Sequence, residues 1–202
     1  METKNTSNSN KNKRVDSTVK YIDDLSKEYS KLNVVRVDLF YKKPYSDKIT
    51  LEDANNDINR MMNNRRSKPS VFKDQIGYVV KREFTEDKGV HFHTMFIYDG
   101  QKVQKDAFKG YQIGKYWEQS ITKDKGRYHN CNRNNYEHSG IGMIDHRNID
   151  KRNILNDVVV PYMCKDVQEV IKVNKKDRAF TRGVVVAKDK GNMGRPRKKS
   201  VE

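Results

Sequence analysis

Gln75-Ile76-Gly77-Tyr78-Val79-Val80-Lys81-Arg82-Glu83-Phe84 and Val90-His91-Phe92-His93-Thr94-Met95-Phe96-Ile97-Tyr98 are separated only by Thr85-Glu86-Asp87-Lys88-Gly89. Both runs are rich in β-branched and aromatic residues, and the polar, Gly-ended linker is short enough to join them as a hairpin. Side chains alternate along a strand, so His91 and His93 share one face while Phe92 points the other way, towards a core. Two imidazoles so placed can chelate one divalent metal, although the pattern alone also fits an incidental surface or core pair. A third protein ligand is usual at such centres. Glu83 is the candidate, because it ends the first strand where pairing could bring its carboxylate beside the histidines.

On the amino-terminal side, Val15, Val19, Ile22, Leu25, Tyr29 and Leu32 recur at helical spacing, and the run from Asn33 to Tyr41 is β-rich. A helix feeding a first strand is expected there. Thr50 with Asp53 three residues on resembles a capping box, with Asp in place of the usual Glu or Gln. It predicts a second helix from Leu51 to about Arg66. After the hairpin, Gln101 to about Thr122 reads as a helix weakened by Gly110 and Gly114. Residues 123–139 read as loop, Gly140–Asp145 as a strand, and Asp150 to about Glu169 as a helix disturbed by Pro161. This order of elements predicts an α+β domain with a mostly antiparallel sheet.

The 202 residues carry 42 Lys and Arg against 27 Asp and Glu, a net charge of +15 that makes a polyanion the first expected partner. Nucleic acid fits better than membrane, since no apolar run approaches the roughly 20 residues of a spanning helix and no signal-peptide core is visible at the amino terminus. A soluble, intracellular protein is expected. Cys131 and Cys164 cannot form a disulfide framework and are expected as free thiols. Residues 1–14, polar and almost without apolar side chains, read as a disordered basic arm. A domain over residues 15–187 and a basic tail over 188–202 follow. The tail contains Gly194-Arg195-Pro196-Arg197-Lys198-Lys199, partly similar to the core of an AT-hook, with Met193 where a further arginine is expected. Arg195, Arg197, Lys198 and Lys199 are candidate DNA contacts, either in a narrow minor groove or simply on phosphates.

Farther along, Val160-Pro161-Tyr162-Met163-Cys164-Lys165 places a hydroxyl and an ammonium three residues apart. On a helix these share a face, so Tyr162 could attack a phosphate while Lys165 offsets the charge that builds up around it. Tyr-x-x-Lys also arises by chance in a chain with 11 tyrosines, where it means a packed aromatic beside a solvated charge. Glu83 could equally pair with Lys81 or Arg82. Arg36 and Asp38, on one side of the first strand, could form a buried pair or line the active face. His129, Cys131, His138, His146 and Cys164 match no familiar zinc spacing.

A His-hydrophobic-His strand followed by a helical Tyr-x-x-Lys resembles the HUH endonucleases, which include rolling-circle replication initiators, relaxases and some transposases. Val35-Arg36-Val37-Asp38-Leu39, Gly77 to Glu83, the histidine strand, Ile113-Gly114-Lys115-Tyr116-Trp117, Gly140-Ile141-Gly142-Met143-Ile144 and the tyrosine helix follow one another as in inovirus-type replication proteins. These are the gene II-like proteins of filamentous phages and their prophage-borne YagK/YfjJ-type relatives. The resemblance covers roughly residues 33–183. It implies a central antiparallel sheet flanked by helices, His91, His93 and Glu83 as ligands of Mg²⁺ or Mn²⁺, Tyr162 as nucleophile and Lys165 as its helper. The implied activity is nicking of single-stranded DNA or an origin hairpin through a 5′-phosphotyrosine, in the cytoplasm of a bacterial host.

No second tyrosine lies within a helical turn or two of Tyr162, and no Gly-x-x-x-x-Gly-Lys-Ser/Thr is present, so a separate host helicase is expected. Two other readings use the same scaffold: a DNA-binding regulator that does not cleave, and an HUH transposase or relaxase. RNA binding on the sheet lacks the expected pairs of exposed stacking aromatics.

Overall fold

The hairpin forms with strands β2, Gln75–Thr85, and β3, Gly89–Asp99. Gly89 makes the re-entry possible: its φ is +65°, and a Cβ there would lie 2.9 Å from the Ser46 carbonyl oxygen. The register pairs Glu83 with His91, Lys81 with His93 and Val79 with Met95. The computed structural model describes residues 3–165 and 178–186, with side chains from Lys13 onward.

β1, Lys31–Tyr41, lies on the other side of β3, with Asp38 opposite His93 and Val34 opposite Ile97. The far edge of β1 is shared: β4, Gly126–Asn130, pairs with residues 37–41, and β5, Gly142–Asp145, with residues 31–34. β6, Phe180–Arg182, adds to β2. The six strands form one antiparallel sheet with β3 in its middle, and every residue of β3 is buried. This is the α+β architecture expected from the sequence, an antiparallel sheet flanked by helices.

Each face of the sheet has its own core. Val35, Val37, Leu39, Phe92, Phe96 and Tyr98 pack against helices α2 (Leu51–Asn63), α3 (Pro69–Phe72) and α4 (Asp106–Lys115). A wide helical turn, Tyr116–Ile121, continues α4 and buries Trp117, whose indole N–H donates to the Phe40 carbonyl at 3.1 Å. Fully burying side chains of this kind contributes about 1.5–3 kcal/mol each. On the opposite face, Val34, Val79, Met95 and Ile97 meet α1 (Thr3–Glu28) through Tyr21, Ile22 and Leu25. They also meet a helical stretch made of α5 (Ile149–Ile154), a wide turn (Leu155–Val159) and α6 (Val160–Met163).

The Thr50 capping box is present: the Thr50 hydroxyl accepts from the Asp53 N–H at 3.1 Å, and the Asp53 carboxylate accepts from the Thr50 N–H at 3.0 Å. Elsewhere the fold departs from expectation. Residues 3–14, expected as a disordered arm, continue the backbone of α1, because extending a helix already nucleated beyond Val15 costs far less than starting one. Within residues 123–139, expected as loop, lies β4. It packs close because α4 offers no side chain there: a Cβ on Gly114 would fall 2.1 Å from the Tyr128 ring. The two glycines that weaken α4 as a helix thus serve its contact with β4, Gly110 against Asn130 and Gly114 against Tyr128. α4 itself begins only at Asp106. Among the described residues no helix is long and apolar enough to cross a membrane.

A candidate metal centre beside a tyrosine

Opposed residues in an antiparallel ladder present their side chains to the same face. One row across the sheet therefore runs His129, Asp38, His93, Lys81 and Phe180, and the neighbouring pair is Glu83 with His91. These groups lie on the face covered by α1 and α6, beyond the point where its apolar residues stop. Glu83, His91 and His93 are all buried, 8 %, 5 % and 7 % exposed. One ligand atom from each lies within 4.8 Å of the other two. Among the described residues no other trio of His, Cys, Asp or Glu has this geometry.

The imidazoles are oriented by their outer nitrogens. Nδ1 of His91 lies 3.0 Å from the Gly89 carbonyl oxygen, and Nδ1 of His93 lies 2.8 Å from Asp38 Oδ1. With both Nδ1 atoms donating to oxygen, both Nε2 atoms turn towards Glu83 Oε2, at 3.6 Å from His91 and 3.1 Å from His93. Imidazoles held through Nδ1–H to carbonyl or carboxylate, with Nε2 directed inward, are the usual outer support of a metal-ligating histidine. The donor set fits a divalent cation. Lys81, fully buried, binds the other Glu83 oxygen and also donates to the Lys165 carbonyl.

Charges in the cluster compensate one another. Burial raises the Glu83 carboxyl, but hydrogen bonds from His91, His93 and Lys81 outweigh it and hold the group well below the ordinary carboxylate range. Burial also raises Asp38, and His93 and Arg36 beside it carry it below its usual value. For His93 burial favours the neutral ring, yet Asp38 and Glu83 on its two nitrogens win and shift its pKa upward.

Tyr162 stands at the edge of this cluster, on the last turn of the helical stretch. Its ring lies edge-on to His93 with centroids 5.7 Å apart, and it is 40 % exposed. Pro161 is tolerated because it occupies the first turn of α6, directly after the wide turn in which the Val160 N–H reaches back to the Leu155 carbonyl. The helix ends at Met163, so Lys165 lies beyond it and not inside a helix running to about residue 169. Its ammonium still comes to 5.1 Å from the Tyr162 ring centroid. Arg36 packs against the same ring, its Cζ 4.5 Å from the centroid.

The structure thus brings together Glu83, His91, His93, Tyr162 and Lys165. Arg195, Arg197, Lys198 and Lys199 lie outside the described residues. Cys131 and Cys164 are both buried and form no disulfide among the described residues. Of the two readings of Asp38, it both pairs with Arg36 at 3.7 Å and faces the cluster. Lys81, read from the sequence only as an alternative partner of Glu83, does pair with it and is part of the site, and sharing a strand face with Glu83 two residues on was the signal for it.

The class these features define is an α+β domain with a buried His-His-Glu trio, able to hold a metal ion, beside a partly exposed tyrosine. The YagK/YfjJ C-terminal domain matches residues 1–183, and the chain belongs to that family. No curated protein and no solved structure matches it significantly.

Proposed function

We propose that the protein is a metal-dependent DNA nicking endonuclease with a single nucleophilic tyrosine, which starts rolling-circle-type replication of a phage or other mobile element. The observation that carries this reading is the convergence of both Nε2 atoms on Glu83 Oε2 with the Tyr162 ring 5.7 Å from His93. It is the arrangement expected of the HUH endonucleases and inovirus gene II-like initiators that the motifs resemble. The net charge of +15 suits a DNA substrate.

His91, His93 and Glu83 would hold Mg²⁺ or Mn²⁺, which as a Lewis acid would polarise a non-bridging oxygen of the scissile phosphate. The Tyr162 oxygen, giving its proton up to solvent, forms a bond to phosphorus as the bond from phosphorus to the 3′-oxygen breaks, and that oxygen takes a proton from solvent. The 5′ end stays on the tyrosine, and the 3′-oxygen, once protonated, is the hydroxyl that primes synthesis. Lys165, beside the ring, offsets negative charge as the phosphorane-like arrangement develops. The substrate is single-stranded DNA or an origin hairpin in the cytoplasm of a bacterial host, and strand separation comes from a separate helicase.

Intact-mass measurement tests this directly. Incubated with Mn²⁺ and a pool of single-stranded DNA covering candidate origins, the protein gains the mass of a DNA fragment mapped to Tyr162. Tyr162→Phe and chelation both remove the adduct. An adduct that persists in Tyr162→Phe, or that forms equally in excess EDTA, rejects the reading.

A further inference from the structure

A cleft of about 390 Å³ opens beside Tyr162, lined by Arg36, His129, Asn134, Tyr136, His138 and Tyr162 itself. Its volume is in the range of small-molecule sites, about 300–1,000 Å³. The metal cluster uses none of the residues from 129 to 138, and a zinc site is not what they form. Their hydrogen bonds show a different organisation. The Asn134 amide nitrogen lies 3.1 Å from His129 Nε2 and 3.1 Å from the Tyr136 hydroxyl, which commits both of its N–H groups. Its Oδ1 is left as an acceptor. The Tyr136 hydroxyl accepts from Asn134 and so keeps its own hydrogen to donate. The Tyr136 ring is 40 % exposed, so a flat ligand can stack on it. Arg36, on the cleft wall, has a buried Nε without a hydrogen-bond partner among the described residues.

We propose that this cleft binds one nucleotide of the single strand, the one adjoining the phosphate at Tyr162, with Arg36 on its phosphate and Asn134 and Tyr136 reading its base edge. An acceptor beside a hydroxyl donor pairs with a base edge that sets a donor beside an acceptor: the amine and ring nitrogen of adenine or cytosine, or, in the opposite order, the N–H and carbonyl of guanine or thymine. The order of the two protein groups along the strand fixes which, so the cleft favours one of these two pairs of bases over the other. The inference rests on the nicking reading for which strand enters, but its test needs no cleavage.

The probe is a randomised pool of single-stranded DNA 12-mers, bound to the full chain in EDTA and sequenced after selection. The wild type enriches one of these pairs of bases over the other at one position by about tenfold, the scale of one good base-edge contact. Asn134→Ala flattens that position and leaves the others unchanged. Tyr136→Phe, which keeps the ring, weakens the preference while retaining affinity. Arg36→Gln lowers affinity for every sequence by a similar factor without altering the preference. Thermal melting of each variant separates loss of fold from loss of contact. The proposal is overturned if the wild type shows no positional preference, or if Asn134→Ala selects as the wild type does. The adduct assay is read separately: absence of a Tyr162 adduct with the base preference intact rejects nicking and keeps the cleft, and the opposite pair of results does the reverse.

Discussion

The two faces of β3 carry side chains of the same strand to different ends. One face, Phe92, Thr94, Phe96 and Tyr98, is buried along its whole length under α2, α3 and α4. The other begins with His91 and His93 and becomes apolar only at Met95 and Ile97, where α1 takes over. Stability and candidate chemistry are thus interleaved residue by residue, separated only by the pleat. The sharpest way to break this contrast is to delete one side chain from each face. Phe92→Ala should lower the unfolding free energy by about 3–5 kcal/mol, measured by urea titration, through lost transfer and a cavity against Trp117. A loss under about 1 kcal/mol would mean that the face is not a packed core.

The matching deletion is His91→Ala. Its effect should fall on metal affinity, reduced by more than the roughly 10–100-fold typical of losing an outer partner of a metal site. The metal-free unfolding free energy should change by only about 1 kcal/mol. Mn²⁺ titration by calorimetry and a denaturant melt on the same sample would measure both. If the two substitutions have the same profile, the division of the strand into a structural and a metal-binding face is wrong.

How much of this was legible depended on whether the signal was local. The hairpin, the capping box and the alternation at His91 and His93 sit within short windows, and the sheet they imply formed in that register. β4 was not legible because it is polar and half exposed, with Arg127 and His129 outward. Its place comes from Gly110 and Gly114 in α4, well before it in the chain. β6 is three residues long, and the wide turn before α6 has no sequence signature. In the candidate site, Glu83 could be read because its partner is one hairpin away. Asp38 reads from the sequence as either a pair with Arg36 or part of the active face, and Lys81 only as an alternative partner of Glu83, until the pairing of β1, β3 and β2 puts them on either side of His93.

Asp38 offers a smaller and more selective test. It touches His93 Nδ1 and not the inward nitrogen, so Asp38→Asn keeps the shape but removes the charge and the strong acceptor. Mn²⁺ affinity should fall by about tenfold, at the lower end of outer-partner effects, while His91→Ala remains far more damaging. Equal effects would place Asp38 among the ligands themselves and would redraw the boundary between the cluster and its support.

The smallest expected effect is a pH dependence, and its sign follows from His93. The folded protein raises the pKa of this ring above the unfolded value of about 6.5. Protonated His93 therefore adds stability to the metal-free protein that is fully present below about pH 6.5 and is lost as pH rises through the raised folded value. Glu83 has the opposite linkage: its lowered pKa gives stability that is fully present above about pH 4.5 and is lost as pH falls from there towards the lowered folded value. A metal must displace the proton from His93 Nε2, so binding is opposed where that proton is held most firmly. The rise in melting temperature caused by a fixed Mn²⁺ concentration should grow from pH 6 to pH 8, even as the metal-free protein loses the contribution of the charged ring. In Phe92→Ala the same growth should persist on a lower baseline, because the opposite face of β3 does not touch the proton. A metal-induced shift that stays flat across this range would show that His93 binds no metal through Nε2, and the polar end of the sheet would then be a buried ion network with a tyrosine beside it.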